Sequence, residues 1–333
     1  MKLSHVLTMW VVLSWLVVVV PASAQIDTYA VTHPFALPTA TTTRLFGMGG
    51  FSSCIPDVGF ANPAFAGALT RDSVVVRHSM TSFAGDLNLN SQQGSFAMPL
   101  ESNRQGLQVS VFRLDSNDAP YGAFGAPTLL SLSEYDVSVH YGRRLTSNWL
   151  AGVAVSPVFH NSVNVAPVGA PGSVMRLTAG ADWGFRLGTV YELGDRGWIG
   201  AVYDRYDESV DGTGLPFGGV PVTATFHSEE IVTGIAYRLT DRLLAGVEWQ
   251  QLSHRSGGLE NAEAGLRFGC EGLLGDGLAL RLGSNQGACS VGLGWADDDW
   301  SLNYAYIQNW NDNLLGDVYG GSDTHSFELT HSW

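Results

Sequence analysis

The feature that most limits what this chain can fold into is a period-two alternation of apolar and polar residues, repeated from residue 72 to the end. In 134–142, Tyr135, Val137, Val139 and Tyr141 share one face, and Glu134, Asp136, Ser138, His140 and Gly142 the other. In 182–188, Trp183, Phe185 and Leu187 oppose Asp182, Gly184, Arg186 and Gly188. In 242–250, Leu243, Ala245, Val247 and Trp249 oppose Arg242, Gly246, Glu248 and Gln250. The last stretch sets Phe327, Leu329 and Trp333 against Ser326, Glu328, Thr330 and Ser332. Successive side chains of a strand point to opposite faces, so each segment is a strand with one apolar and one polar side.

About fourteen such segments follow one another, near 72–79, 92–100, 104–114, 132–143, 149–158, 174–191, 197–206, 220–239, 242–252, 259–269, 277–284, 287–296, 299–309 and 324–333. The connections alternate between short turns and longer loops, with one exception at Asn285–Gln286, which is short where a long loop is due. Alternate short and long connections are the pattern of a transmembrane antiparallel up-and-down β-barrel with both termini on the short-turn side. An even strand number follows.

Composition separates this reading from a soluble sandwich. Charged residues are 14% of the chain, against a usual value of about 25%. Mean hydropathy is only +0.08, and after residue 24 no apolar run reaches the ~18 residues of a spanning helix. An alternating barrel gives this result, because its lipid and lumen faces cancel in any average. Trp149, Trp198 and Trp300 follow short turns and Trp295 precedes one, as in an interfacial aromatic girdle, while Trp249 and Trp310 lie nearer the long loops. The formal net charge of −14, with no basic cluster, excludes a nucleic-acid partner. Residues 1–24 read as a cleaved secretory signal: Lys2, an apolar core over Val11–Val20, and Ala22-Ser23-Ala24 before Gln25.

Between signal and strands, residues 25–71 form a separate N-terminal segment. Gly47-Met48-Gly49-Gly50 is too glycine-dense for a stable helix. Asn62-Pro63-Ala64 starts a short one, with Asn as N-cap and Pro at the first helical position. Three phenylalanines here, Phe51, Phe60 and Phe65, need something to cover them. The order Gly-Met-Gly-Gly followed by Asn-Pro-Ala resembles the N-terminal segment of the FadL-like outer-membrane proteins, which include fatty-acid channels and PorV/PorQ-type secretion proteins. The resemblance implies a plug inside a fourteen-stranded barrel at 72–333, with Gly47, Gly49, Gly50, Asn62, Pro63 and Ala64 as plug or gating residues. Ser52-Ser53-Cys54-Ile55-Pro56-Asp57 departs from the family's alanine- and acid-rich stretch.

Enzyme signatures are missing: there is no Gly-x-Ser-x-Gly, His-Glu-x-x-His or Cys-x-x-Cys, and the histidines are scattered. No cofactor or metal is expected. Inward charges are mixed, with Asp136, Asp182, Glu230, Glu248 and Glu328 against Arg186, Arg238, Arg242, Arg267 and Arg281. They are expected to pair across the lumen and with plug groups such as Arg44. Phe51, Phe60, Phe65, Arg186 and Arg242 are the candidate ligand contacts. The cysteines are expected to be free, with Cys54 in the plug and Cys270 and Cys289 on the lipid side. Two functions fit. One is passive transport of hydrophobic small molecules across the outer membrane; the other is a PorV/PorQ-type component of type IX secretion that holds protein cargo. A structural barrel is a third. Expected partners are outer-membrane lipid and the barrel assembly machinery, through the strand ending at Trp333.

Overall fold

The computed structural model describes residues 42–57, 62–100, 104–121, 128–168, 175–214, 222–256, 259–286, 288–309 and 319–333. The signal at 1–24, Phe60 and Trp310 lie outside them. The strands are β1 (Ser73–Phe83), β2 (Asn88–Pro99), β3 (Gln105–Ser116), β4 (Ala119–Tyr121), β5 (Thr128–Arg144), β6 (Trp149–Pro167) and β7 (Met175–Leu193). They continue with β8 (Gly197–Gly214), β9 (Val222–Thr240), β10 (Leu243–Ser256), β11 (Leu259–Leu273), β12 (Leu278–Asn285), β13 (Ala288–Ala296), β14 (Trp300–Gln308) and β15 (Ser322–Ser332). All pair antiparallel in sequence order, and β1 pairs with β15 from Ser73↔Ser332 to Phe83↔Ser322, so the sheet closes. Strand β4 is an appendage: β3 pairs directly with β5, and β4 pairs only with the first three residues of β5. Fourteen strands make the barrel.

The pleat sorts the residues as alternation predicts. In β1, Ser73, Val75, Arg77, Ser79 and Thr81 face in and are buried, while Val74, Val76 and Met80 face out and are exposed. Outward leucines, valines and isoleucines continue around the wall, among them Leu187, Ile199, Ile235, Leu282, Leu293 and Leu329. In water such a surface would be an aggregation hazard, whereas in a bilayer it is the solvated face. Inside the β1–β15 seam, hydroxyls pair across the strands: Ser79 with Ser326 and Thr81 with Thr324, each at 2.8 Å.

Wall height is uneven. β12, β13 and β14 have 8, 9 and 9 residues, close to the ~9–11 a tilted spanning strand needs. β6, β7 and β9 have 19 each and rise well above them. The short turn after Asn285 is therefore the top of the lowest hairpin. Several expected loops are shorter, because strands run on: β6 extends to Pro167 and β8 to Gly214, and β1–β2 turns over residues 84–87 with Asp86 at φ 67°.

One tryptophan is corrected. Trp149, Trp295 and Trp300 are exposed on the outer wall, but Trp198 is buried. It is the second residue of β8, not the first, so it shares the inward face with Gly200, Val202 and Asp204 and lies under the Arg238 guanidinium at 5.6 Å. A one-residue change of register moves a side chain through the sheet.

Candidate functional site

Residues 42–57 and 62–69 fill the short-turn half of the lumen. A helical turn, Thr43–Phe46, is capped by Thr42, whose hydroxyl accepts from the Leu45 N–H. Gly49 and Gly50 then take φ of 91° and 78°, a left-handed conformation that glycine reaches without penalty, and Gly50 N–H closes back on the Leu45 carbonyl at 2.8 Å. A second turn, the 3-10 helix Pro63–Ala68, starts at Asn62, whose side chain accepts from Ala64 N–H at 3.0 Å. The same Asn62 amide donates to the carbonyls of Ser53 in the plug, Thr189 on β7 and Ala201 on β8.

Three wall carboxylates hold the plug. Glu248, fully buried, accepts from Ser52 N–H at 2.9 Å and from Ser53 N–H and hydroxyl at 2.6 Å each, with Cys54 N–H at 3.3 Å. Glu271 takes a two-pronged contact from Arg44 at 2.7 and 2.9 Å and a third bond from Arg281 at 2.7 Å. Glu328 accepts from Thr43 N–H at 2.9 Å. Arg267 completes the network by donating to the Gly50 carbonyl at 2.8 Å, 3.6 Å from Glu248. Charge-assisted bonds of this kind are roughly twice as strong as neutral ones. Burial and then Glu248 raise the Cys54 thiol well above its ordinary range.

The rest of the contact is made by glycine. Strands β3 and β5 to β13 each turn a glycine inward at plug level. Gly106, Gly142, Gly152 and Gly188 stand side by side in register across β3, β5, β6 and β7. A Cβ at Gly106 would overlap the Ala66 carbonyl, at Gly152 the Pro63 carbonyl, and at Gly188 the Asn62 amide. Gly200 meets Ser53, Gly246 the ring of Phe51, Gly269 and Gly283 the Met48–Gly49 peptide, and Gly292 the backbone of Gly47, with Gly234 beside the Ser53 hydroxyl. Around these ten strands the plug lies mostly backbone against backbone. β1, β14 and β15 contain no glycine, and the one in β2, Gly94, points outward into open space.

On those four strands other side chains take the place of the glycines: Ala305 and Ile307 of β14 cluster with Phe46, Ser326 of β15 meets the Thr43 hydroxyl at 2.7 Å, Ala97 of β2 clusters with Ala66 and Leu69, and a polar row runs among them. Asn303 on β14 pairs with Glu328 on β15, Glu328 with Arg77 on β1, and Arg77 with Gln93 on β2, a single inward row of buried residues. The Arg77 guanidinium covers the Phe46 ring of the plug at 5.2 Å.

Above the plug lies a polar cavity of about 20 Å³, room for one or two waters. Its lining includes Gln93, Ser110, Ser138, His140, Arg186 and Tyr206. His140 meets the Ser138 hydroxyl at 3.1 Å, and Arg186 is tied to Asp204 through Nε at 2.8 Å. Higher still, at the long-loop end, the inward side chains turn apolar. Phe83, Leu89, Phe112, Leu114, Leu132 and Val165 pack in one buried cluster, closed by Tyr319 from the last long loop. Tyr319 is docked onto the β1–β2 turn, its carbonyl accepting from Gly85 N–H at 2.6 Å. Phe112 belongs to this cluster and also to the lining of the cavity beneath.

The fold matches several solved structures. The Ralstonia pickettii toluene transporter TbuX matches with a TM-score of 0.62 and 14% identity over 89% of this chain and 99% of its own. The Pseudomonas putida toluene transporter TodX matches at 0.58 and 14%, over 88% and 98%. A Pseudomonas aeruginosa FadL homologue matches at 0.57 and 13%, again over 88% and 98%. The fold is FadL-like. No family model matches the sequence, and no curated protein does.

Within this FadL-like frame the sequence-predicted residues divide. Gly47, Gly49, Gly50, Asn62, Pro63 and Ala64 all lie in the plug and touch the wall. Phe51 and Phe65 are buried between plug and wall, with the Phe51 ring filling the niches left by Gly246 and Gly269, so neither presents a face to the lumen above. Their expected role as ligand contacts is corrected: both rings are taken up in the seal between plug and wall, that of Phe51 over two glycines. Arg242 is corrected too, since it sits exposed in the turn before β10, at the rim. Arg186 does line the cavity, but as the partner of Asp204. Arg44 pairs with a wall carboxylate as expected. The three cysteines are free, Cys54 buried and Cys289 exposed on the outer wall. The apolar mouth was not foreseen. Its signal was available in Leu87-x-Leu89, Phe112-x-Leu114, Leu130-x-Leu132 and Val163-x-Val165, apolar pairs on the lumenal phase of strands whose middles are polar there.

Proposed function

We propose that this protein is a passive outer-membrane channel for hydrophobic small molecules, without catalysis. On this reading residues 1–24 are removed on export, 25–71 are the N-terminal segment and plug, and 72–333 are the barrel. The observation that carries it is the apolar cluster at the long-loop mouth, where phenylalanine and leucine stand on the lumenal face above the serines and glutamines of the strand middles. A purely polar lumen would offer an apolar solute nothing, whereas burial against such side chains is worth about 25 cal/mol per Å². TbuX and TodX, which share the fold, are toluene transporters by description. Nothing in the described residues favours the secretion-component alternative.

The test is uptake by proteoliposomes. Purified barrel should speed the entry of toluene but not of a sugar of similar size, and Phe112→Ser with Leu114→Ser should remove most of the effect. Equal rates with empty liposomes, or equal gains for both solutes, would overturn the proposal. Assembly through the last strand has its own check. Deleting Trp333 should lower the amount of heat-modifiable barrel in the outer membrane, and an unchanged amount would count against that role.

A further inference from the structure

The plug is sealed into the barrel in two different ways around its circumference, and only one of them can open without moving the plug. We infer that solute passes the plug level along strand β1, between the plug and the wall, with Arg77 and, above it, Gln93 as the gate. This rests on the channel reading and adds to it a route and two gating residues.

Three observations converge. Against β3 and β5 to β13 the plug packs on glycine, so there is little between the two backbones to swing aside. Opening that side means lifting the plug, which breaks the Glu248 bonds to Ser52, Ser53 and Cys54 and the Asn62 bonds to β7 and β8 together. Against β14, β15 and β2 the plug is anchored too, by Phe46 clustered with Ala305 and Ile307, by Thr43 bonded to Glu328 and Ser326, and by Ala66 and Leu69 clustered with Ala97, whereas the space beside β1 is occupied by the ends of the Arg77 and Gln93 side chains in register. A side chain can turn to another staggered rotamer while the backbones stay in place, whereas two packed backbones separate only if an element moves. The row also lies on a continuous line. Phe112 joins the apolar mouth to the polar cavity, Gln93 lines that cavity and ends the row, and Arg77 beside it covers Phe46 of the plug. Mouth, cavity and seam are therefore consecutive.

The test separates the seam from the transport reading by measuring ions first. In planar bilayers, Arg77→Ala with Gln93→Ala should raise ionic conductance severalfold over wild type, and Gln93→Ala alone, the milder change, should raise it less. Met48→Ala removes a similar volume on the glycine side and should leave conductance at the wild-type level. Amide exchange at Ser53, the N–H held by Glu248, should stay as slow in the double variant as in wild type. Heat-modifiability on gels checks that each barrel is folded. No rise in the folded seam variants, an equal rise in Met48→Ala, or loss of Ser53 protection would overturn the inference. If the seam behaves as expected but wild-type protein does not speed toluene entry, the route stands and the substrate reading falls.

Discussion

The ten glycine strands and the four polar strands do the same task, closing a barrel around a plug, by opposite means. On the glycine side, removal of the side chain brings two backbones together and leaves the holding to a few buried carboxylates. On the polar side, β14, β15 and β2 anchor the plug through Ala305, Glu328, Ser326 and Ala97, and beside β1 the long side chains of Arg77 and Gln93 fill the distance that remains. The first arrangement is specific and stiff, because backbone-on-backbone packing has one solution. The second is adjustable. On the proposed channel reading, a barrel that stays plugged yet admits a solute needs both, one to fix the plug and one to yield.

The largest effect expected on this comparison comes from Glu248. It is fully buried, accepts three plug N–H groups and lies beside Arg267. Glu248→Ala leaves those donors without their acceptor and the guanidinium without its nearest carboxylate, and removing one partner of a buried pair costs about 3–5 kcal/mol. The plug should detach while the barrel, whose strands satisfy their own backbone groups, stays inserted. Limited proteolysis of intact barrels would show cleavage near residues 52–54 in the variant only. A plug as resistant as wild type would mean that glycine contacts alone suffice.

Next comes the glycine belt itself. Gly269→Val places a branched side chain into the Met48 carbonyl, with backbone on both sides and no rotamer to relieve it. Overpacking of this sort costs about 1–3 kcal/mol. Gly94→Val is the control, since a Cβ there meets nothing within 4 Å and faces lipid. The temperature at which the barrel loses its compact gel mobility should fall for the first and hold for the second. If both behave alike, the belt is incidental to the docking of the plug.

How much of this was legible beforehand follows from what is local. Period two is a property of neighbouring residues, so the strands, their number and the low hairpin at Asn285–Gln286 can be read directly. Asn62-Pro63 is a local cap signal, and the structure starts a helix there. The belt was not legible, because a glycine in a strand says nothing until its phase is known and the phases of ten strands are compared. The phase itself slips at bulges, between Val137 and Val139 and between Ala181 and Trp183, and at strand starts, as Trp198 shows. Phe51 looked like a ligand contact for the same reason: the glycines beneath it, Gly246 and Gly269, lie on β10 and β11, far away in sequence.

A smaller effect is expected at Asn62. Loss of an Asn cap costs about 1 kcal/mol, and its amide also holds the Thr189 and Ala201 carbonyls, so Asn62→Ala should cost about 1–2 kcal/mol. Amide exchange at Ala64 should quicken while exchange at Ser53 changes little. Equal acceleration at both would mean the plug is one cooperative unit.

The smallest effect is chemical and leaves stability alone. Cys54 lies on the glycine side, buried, with burial and Glu248 both raising its thiol well above the ordinary range. Only the thiolate attacks a maleimide. A raised thiol stays protonated as pH increases, so Cys54 should remain unlabelled from pH 7 to pH 9 in folded protein and react once the chain is unfolded. A cysteine placed on the polar side by Gln93→Cys, with Cys270 and Cys289 changed to alanine, faces the cavity that Gln93 lines. It should label in folded protein, with a rate rising by up to about tenfold per pH unit below its pKa of ~8.5. The two rates report on the two seals in the same molecule. Labelling of Cys54 as fast as position 93 would show that the glycine side opens as readily as the polar side, and the distinction between them would go.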